Sequence, residues 1–283
     1  MDINELLSIR WRERAELLRR IDQTMRSDHR VRAAWLTGSV ARGEDDALSD
    51  LDVYIVVADK AIDDFADHRR IHAARPARPI LLMDNLSNAP VGGAYLLALY
   101  EGEAGPQHVD WFWQAKSTAH RPDDAKILFD RAGLPVMPGA QWRGIFHRSS
   151  GPPLGPKPPL ADVLTHKIAF FWAMTFIAAK YIARRDSETA ARMTGVVSRT
   201  LTEAAALCHN GMGLSEGYAA MAAGFEAAPA IAQLRVLREL VKHAEDLDGP
   251  LATHGIVQPS EAISQICQFF DLAEALVVRD VRP

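Results

Sequence analysis

Near residue 135 the chain changes its hydrophobic period, and no other feature constrains its fold as much. Before that point apolar residues come in short, β-branched or aromatic runs. These are "RAAWLTG" ending at Gly38, "LDVYIVV" from Leu51, "RPILLMD" ending at Asp84, and the pair "YLLALY" and "QHVDWFWQ" joined by "EGEAGP". Short runs bounded by turn residues predict strands, and the last two predict a hairpin. Leu6, Leu7, Trp11, Leu17, Leu18 and Ile21 recur at mostly helical intervals, so an amphipathic helix is expected from about Ile3 to Ser27. "FADHRRIHAA" predicts a surface helix.

Beyond Pro135 lies "PVMPGAQWRGIFHRSSGPPLGPKPPL", whose Pro and Gly stiffen the chain without regular structure. Four segments of helical length and period follow: "ADVLTHKIAFFWAMTFIAAKYIARR", "ETAARMTGVVSRTLTEAAALCHN", "APAIAQLRVLRELVKHAED" and "PSEAISQICQFFDLAEALVVRD". The expected organisation is an α/β (α+β) core with a mixed sheet over 1–135, a Pro/Gly-rich connection over 136–160, and an all-α helical bundle over 161–283.

Bulk properties exclude several classes of function. A net charge of −4 disfavours a long polynucleotide partner, because neutralising phosphates requires clustered Lys and Arg. The apolar run Ile168 to Ala179 is bracketed by Lys167 and Lys180 and is shorter than the roughly 20 apolar residues that cross a bilayer. It reads as a buried core helix. The charged N-terminus lacks a signal-peptide core. Cys208 and Cys267 have no metal-type spacing, so two unpaired thiols in a reducing, cytoplasmic setting are expected.

The chemistry concentrates between Leu36 and Val57. In a strand, residues i and i+2 share a face, so Asp50 and Asp52 point one way while Leu51 and Val53 point the other. Paired carboxylates repel unless a cation lies between them, and oxygen ligation favours hard ions such as Mg²⁺. Gly38 and Ser39 stand where a strand gives way to the next element. There glycine permits close approach of backbone to a ligand, and a helix start offers N–H groups to a phosphate. Bland alternatives exist: Ser39 as a helix N-cap, Ser49 and Asp50 in an Asx-type turn, and Glu44, Asp45 and Asp46 as a solvated loop. For the acidic loop the bland reading is preferred. Asp110 lies in a strand-like run with His108 and Phe112 on its face, among apolar neighbours that demand a partner for it. His108 is read as structural.

Gly38-Ser39-Val40-Ala41-Arg42-Gly43 followed by Ser49-Asp50-Leu51-Asp52 resembles the signature of the polymerase-β-like nucleotidyltransferase superfamily. The resemblance implies an α/β core, an NTP held at Gly38, Ser39, Arg42 and Ser49, and two Mg²⁺ ions on Asp50 and Asp52. It also implies a third carboxylate on a neighbouring strand, for which Asp110 is the candidate, both as ligand and as proton acceptor from the attacking hydroxyl. The layout, with "AKILFDRAGLP" closing the core ahead of an Ala-rich helical half, is similar to the antibiotic nucleotidyltransferases that adenylylate aminoglycosides or lincosamides. That likeness implies AMP transfer from ATP to a small-molecule hydroxyl. It makes Lys167 a candidate triphosphate contact, with a plain helix-surface lysine as the alternative, and Glu203 a candidate base. Helix faces that could serve a homodimer could equally be core. A second expectation is an antitoxin-like or regulatory nucleotidyltransferase acting on a protein partner. Those proteins are short and lack a fused helical half of this size.

Overall fold

The structure is a computed structural model that describes residues 2–146, 158–209 and 228–279. It divides into two compact units, one of Ser8–Gly102 and Gln107–Gly155, the other of Met1–Leu7, Glu103–Pro106 and Pro156–Pro283.

The first unit is built on a mixed sheet. Its strands are β1 (Val31–Thr37), β2 (Leu51–Val57), β3 (Pro79–Met83), β4 (Ala94–Tyr100), β5 (Gln107–Ala115) and, after a two-residue β6 (Arg121–Pro122), β7 (Lys126–Asp130). Six of them form one sheet in the order β3-β4-β5-β2-β1-β7, in which β2 runs parallel to β5 and the other neighbours are antiparallel. The short β8 (Val136–Met137) pairs with β6.

Alternation decides the two faces of the sheet. Leu51, Val53, Ile55 and Val57 of β2, with Val109, Trp111 and Trp113 of β5, enter one apolar core. That core also takes Leu17, Ile21 and Met25 of helix α1 (Ile3–Ser27), Phe65 of α3 (Ile62–Asp67) and Ala73 of α4 (Arg69–Ala74). Each Val, Leu, Ile, Met or Phe among them stabilises the unit by about 1.5–3 kcal/mol on full burial. The residues that alternate with them, Asp52 and Tyr54 on β2, Asp50 just ahead of it, and His108, Asp110 and Phe112 on β5, face the other way.

The surface helix expected over "FADHRRIHAA" is broken at His68 into α3 and α4. Its two pieces fold together so that buried His72 stacks on Phe65, with ring centroids 3.9 Å apart. Within the Pro/Gly-rich stretch, Gly139–Phe146 forms a helix, α5, that begins right after Pro138, whose carbonyl accepts from the Trp142 N–H at 2.9 Å. Residues 147–157 of the expected connection, and residues 210–227, lie outside the described residues.

The second unit contains α6 (Leu160–Ala183), α7 (Ser187–Cys208), α8 (Ala230–Glu245), α9 (Asp248–Ala252) and α10 (Ser260–Val278). Asp186 caps α7 by accepting from the Thr189 N–H at 3.1 Å. By length and composition α6 could cross a membrane. Its buried residues nonetheless make specific contacts inside the unit: Phe176 meets Phe269 edge-on at 4.9 Å, and Trp172 Nε1 donates to Gln258 Oε1 at 2.8 Å. Cys208 and Cys267 are free.

Candidate active site

Gly38 and Ser39 open a five-residue helix, α2 (Gly38–Arg42), directly after β1. One turn is too short to carry much of a dipole, so its contribution is local: a bend at Gly38 and a hydroxyl at Ser39. Thr37, not Ser39, takes the N-cap position. Ser39 lies inside the turn, where its hydroxyl donates to Ser49 Oγ at 3.1 Å. Ser49 in turn donates to Asp46 Oδ1 at 3.1 Å and accepts from the Asp46 N–H at 3.0 Å. Asp46 also accepts from the Leu48 N–H, so the Asx-type turn is centred on Asp46 and orients Ser49 next to Asp50.

The acidic loop is therefore a built element, not simply a solvated one. Two arginines of α1 fasten it. Arg10 donates to the Ala47 carbonyl at 3.1 Å, and Arg14 donates to the carbonyls of Asp46 and Ser49 and to Asp45 Oδ2. Both guanidiniums are nearly fully buried, and such groups are retained only when paired. On the amphipathic helix they read as ordinary surface charge, and only the folded position of the loop shows their task. Arg42 is exposed and donates to Glu44 at 2.6 Å.

Parallel pairing of β2 with β5 sets Asp52 directly beside Asp110, and places His108 one step earlier, level with Asp50. His108 then spans the acids: Nδ1 lies 3.1 Å from Asp50 Oδ2 and Nε2 lies 3.2 Å from Asp110 Oδ1. A neutral imidazole donates from only one nitrogen, so the second contact takes a further proton, on the ring or on the carboxyl, or a cation in its place. Asp50, His108 and Asp110 offer ligand atoms within 4.8 Å of one another, a donor set that fits a divalent ion. The His108 side chain is 3% exposed, whereas Asp50 keeps 32% and Asp110 17%, so solvent reaches the acids but hardly the imidazole.

Tyr95 of β4 completes the group. Its hydroxyl donates to Asp110 Oδ1 at 2.5 Å, which meets the need of that acid for a partner. Beyond the acids an aromatic row crosses the same face: Trp35, Tyr54 and Phe112 stack in turn at 6.1 and 4.2 Å, and Tyr95 tilts against Phe112 at 5.1 Å. Trp142 of α5 closes on Tyr54 edge-on at 4.9 Å.

Tyr54 and Tyr95 are buried in this row, and Tyr100 in the apolar core on the opposite face. Burial pushes the phenols of Tyr54, Tyr95 and Tyr100 upward. For Tyr54 the charges of Asp52 and Asp110 push further in the same direction, and for Tyr95 that of Asp110 does so. A phenol with a raised folded pKa contributes stability that is complete below its unfolded value of about 10 and is lost as pH rises through the folded value. In an alkaline titration of the five tyrosines, these three are expected to ionise only together with loss of circular dichroism. Reversible ionisation of all five near pH 10 in the folded protein would contradict this burial.

Lys167 and Glu203, on α6 and α7, bond each other at 2.5 Å inside the second unit. The sequence does not single out Tyr95 or the loop-fastening arginines, and it reads His108 as structural.

No curated protein matches the chain. Residues 18–76, which hold Gly38, Ser39, Asp50 and Asp52, match the family model of the nucleotidyltransferase domain; the chain thus carries a nucleotidyltransferase domain, and its chemistry is nucleotidyl transfer.

Proposed function

We propose that the protein transfers a nucleoside monophosphate, AMP from ATP, to a hydroxyl of a small molecule of aminoglycoside or lincosamide type, in the cytoplasm, with release of pyrophosphate. The observation that carries this reading is the convergence of Asp50, Asp52 and Asp110 on one sheet face, next to the Gly38-Ser39 turn. Two Mg²⁺ ions, when bound by Asp50, Asp52 and Asp110, would neutralise charge on the triphosphate and lower the pKa of the acceptor hydroxyl.

The remaining work belongs to the chain. Ser39 turns its hydroxyl from Ser49 to the phosphates, and Ser49, held by Asp46, keeps the turn in register with Asp50. Gly38 leaves room for the Asp52 carboxylate. Tyr95 and His108 occupy Asp110 Oδ1, which leaves Oδ2 to take the acceptor's proton. Arg42 supports the phosphates once it leaves Glu44. Lys167 and Glu203 enter only if their mutual ion pair opens, so Asp110 is the base on which the proposal relies.

The test is pyrophosphate release from each NTP with Mg²⁺ across aminoglycosides, lincosamides and other hydroxylated acceptors. Release that requires one NTP and one acceptor class, and that disappears in Asp110→Asn, is expected. Silence across the acceptors with NTP still bound would turn the reading toward a protein acceptor.

A further inference from the structure

We propose that His108 is itself a metal ligand, and that the ion held by Asp50, His108 and Asp110 is a first-row transition ion in preference to Mg²⁺. This rests on the reading above that Asp50 and Asp110 are ligands.

The argument starts from the donor set. Mg²⁺ demands near-octahedral oxygen ligation and gives up its waters reluctantly. Imidazole nitrogen suits the later, softer divalent ions, whose affinity rises from Mn²⁺ toward the end of the row. In this site the acids do not meet over open water. A ring 3% exposed stands between them, with one nitrogen 3.1 Å from Asp50 and the other 3.2 Å from Asp110. An ion that touches both Asp50 and Asp110 must share their space with that ring, because all three ligand atoms fall within 4.8 Å.

The surroundings support a ligating role. When a histidine binds metal through one nitrogen, the other usually donates to a carboxylate, which fixes the ring and strengthens the ligand. His108 has a carboxylate at each nitrogen, so whichever one meets the ion, the opposite one keeps such a partner. Tyr95 adds a further shell by donating to Asp110 Oδ1. Strand geometry allows His108 little choice, since it is level with Leu99 on β4 and adjoins Asp50 across the parallel pair.

The test measures ions rather than turnover. Metal-free protein is titrated with Co²⁺, Mn²⁺ and Mg²⁺ in the absence of nucleotide. Co²⁺ is followed by its visible d–d bands, Mn²⁺ by the electron paramagnetic resonance of the free ion, and Mg²⁺ by competition. The wild type is expected to bind Co²⁺ and Mn²⁺ more tightly than Mg²⁺. His108→Ala should lose more Co²⁺ affinity than the roughly 10- to 100-fold that removing a ligand's outer-shell support costs, while Mg²⁺ affinity changes little. His108→Gln offers an amide oxygen of similar reach and keeps the packing, so it covers the case in which the alanine variant fails to fold. It should shift the preference toward Mg²⁺ and alter the Co²⁺ bands.

Equal weakening of all three ions in both variants would make His108 a positioning group only and overturn the proposal. Unchanged preference in His108→Gln would overturn it as well, and nucleotidyl transfer that persists with Mg²⁺ would then leave the proposed function standing. Unaltered ion binding in Asp50→Asn and Asp110→Asn would instead remove the ligand assignment beneath both.

Discussion

Asp52→Asn is expected to remove nucleotidyl transfer, by about 10³-fold or more, while the protein melts at the same temperature or a higher one in metal-free buffer. Asn keeps the shape of the side chain and deletes one negative charge. In the parallel register Asp52 lies beside Asp110, with Asp50 two residues earlier on the same face, so the native arrangement gathers like charges that repel each other. Removing one relieves that repulsion without opening a cavity. The same carboxylate is needed once a cation and a triphosphate are present. There, losing a ligand for the developing charge costs about 4 kcal/mol, and each 1.36 kcal/mol is tenfold in rate. Opposite signs for activity and stability are the signature of a carboxylate kept for chemistry. Pyrophosphate release and thermal melting, each with and without divalent ion, measure the two effects. An Asp52→Asn variant that transfers at a tenth of the wild-type rate, or one that unfolds, would refute the assignment.

The parts of this site that the sequence exposes are those that lie close together along the chain. Asp50 and Asp52 share a face because a strand alternates, and His108, Asp110 and Phe112 do so for the same reason. What alternation cannot supply is which strands are neighbours. The contact between Asp52 and Asp110 depends on β2 pairing with β5 in parallel, across the whole of β3 and β4. His108 changes from a structural histidine to the centre of a donor set through that register alone. Tyr95 was hidden for a related reason: it reaches Asp110 diagonally from β4, opposite Phe112, in a run where it reads as ordinary apolar filling. Arg10 and Arg14 fall among six arginines of a charged helix, and nothing in their spacing separates the two that are buried against residues 45–49 from those that are solvated. The helical half was legible as helices because its period is long and regular. The ion pair of Lys167 with Glu203 was not, because it joins two helices whose relative rotation the pattern leaves open.

Two glycines that flank the same short helix separate backbone strain from interference with the site. Gly38 and Gly43 have φ of +70° and +69°, and both would take up side chains at a conformational cost of about 1–2 kcal/mol. Their surroundings differ. A methyl group on Gly38 would lie 2.1 Å from Asp52 Oδ2, far inside contact distance, whereas one on Gly43 meets nothing within 4 Å. Gly43→Ala is therefore expected to lower stability by that strain alone and to leave transfer within about threefold of wild type, since so small a rate change is well under 1 kcal/mol. Gly38→Ala carries the same strain and must also swing the Asp52 carboxylate away from its place beside Asp110. It should lose transfer by about 10²-fold or more, as displacement of a charge-stabilising group by an ångström does. It should also lose the thermal stabilisation that divalent ions give the wild type. Measured side by side, equal stability losses with unequal activity losses mean that Gly38 is present for the sake of the Asp52 carboxylate. Equal losses in both would mean that the turn needs glycine only for its backbone, and that the close approach to Asp52 has no part in the chemistry.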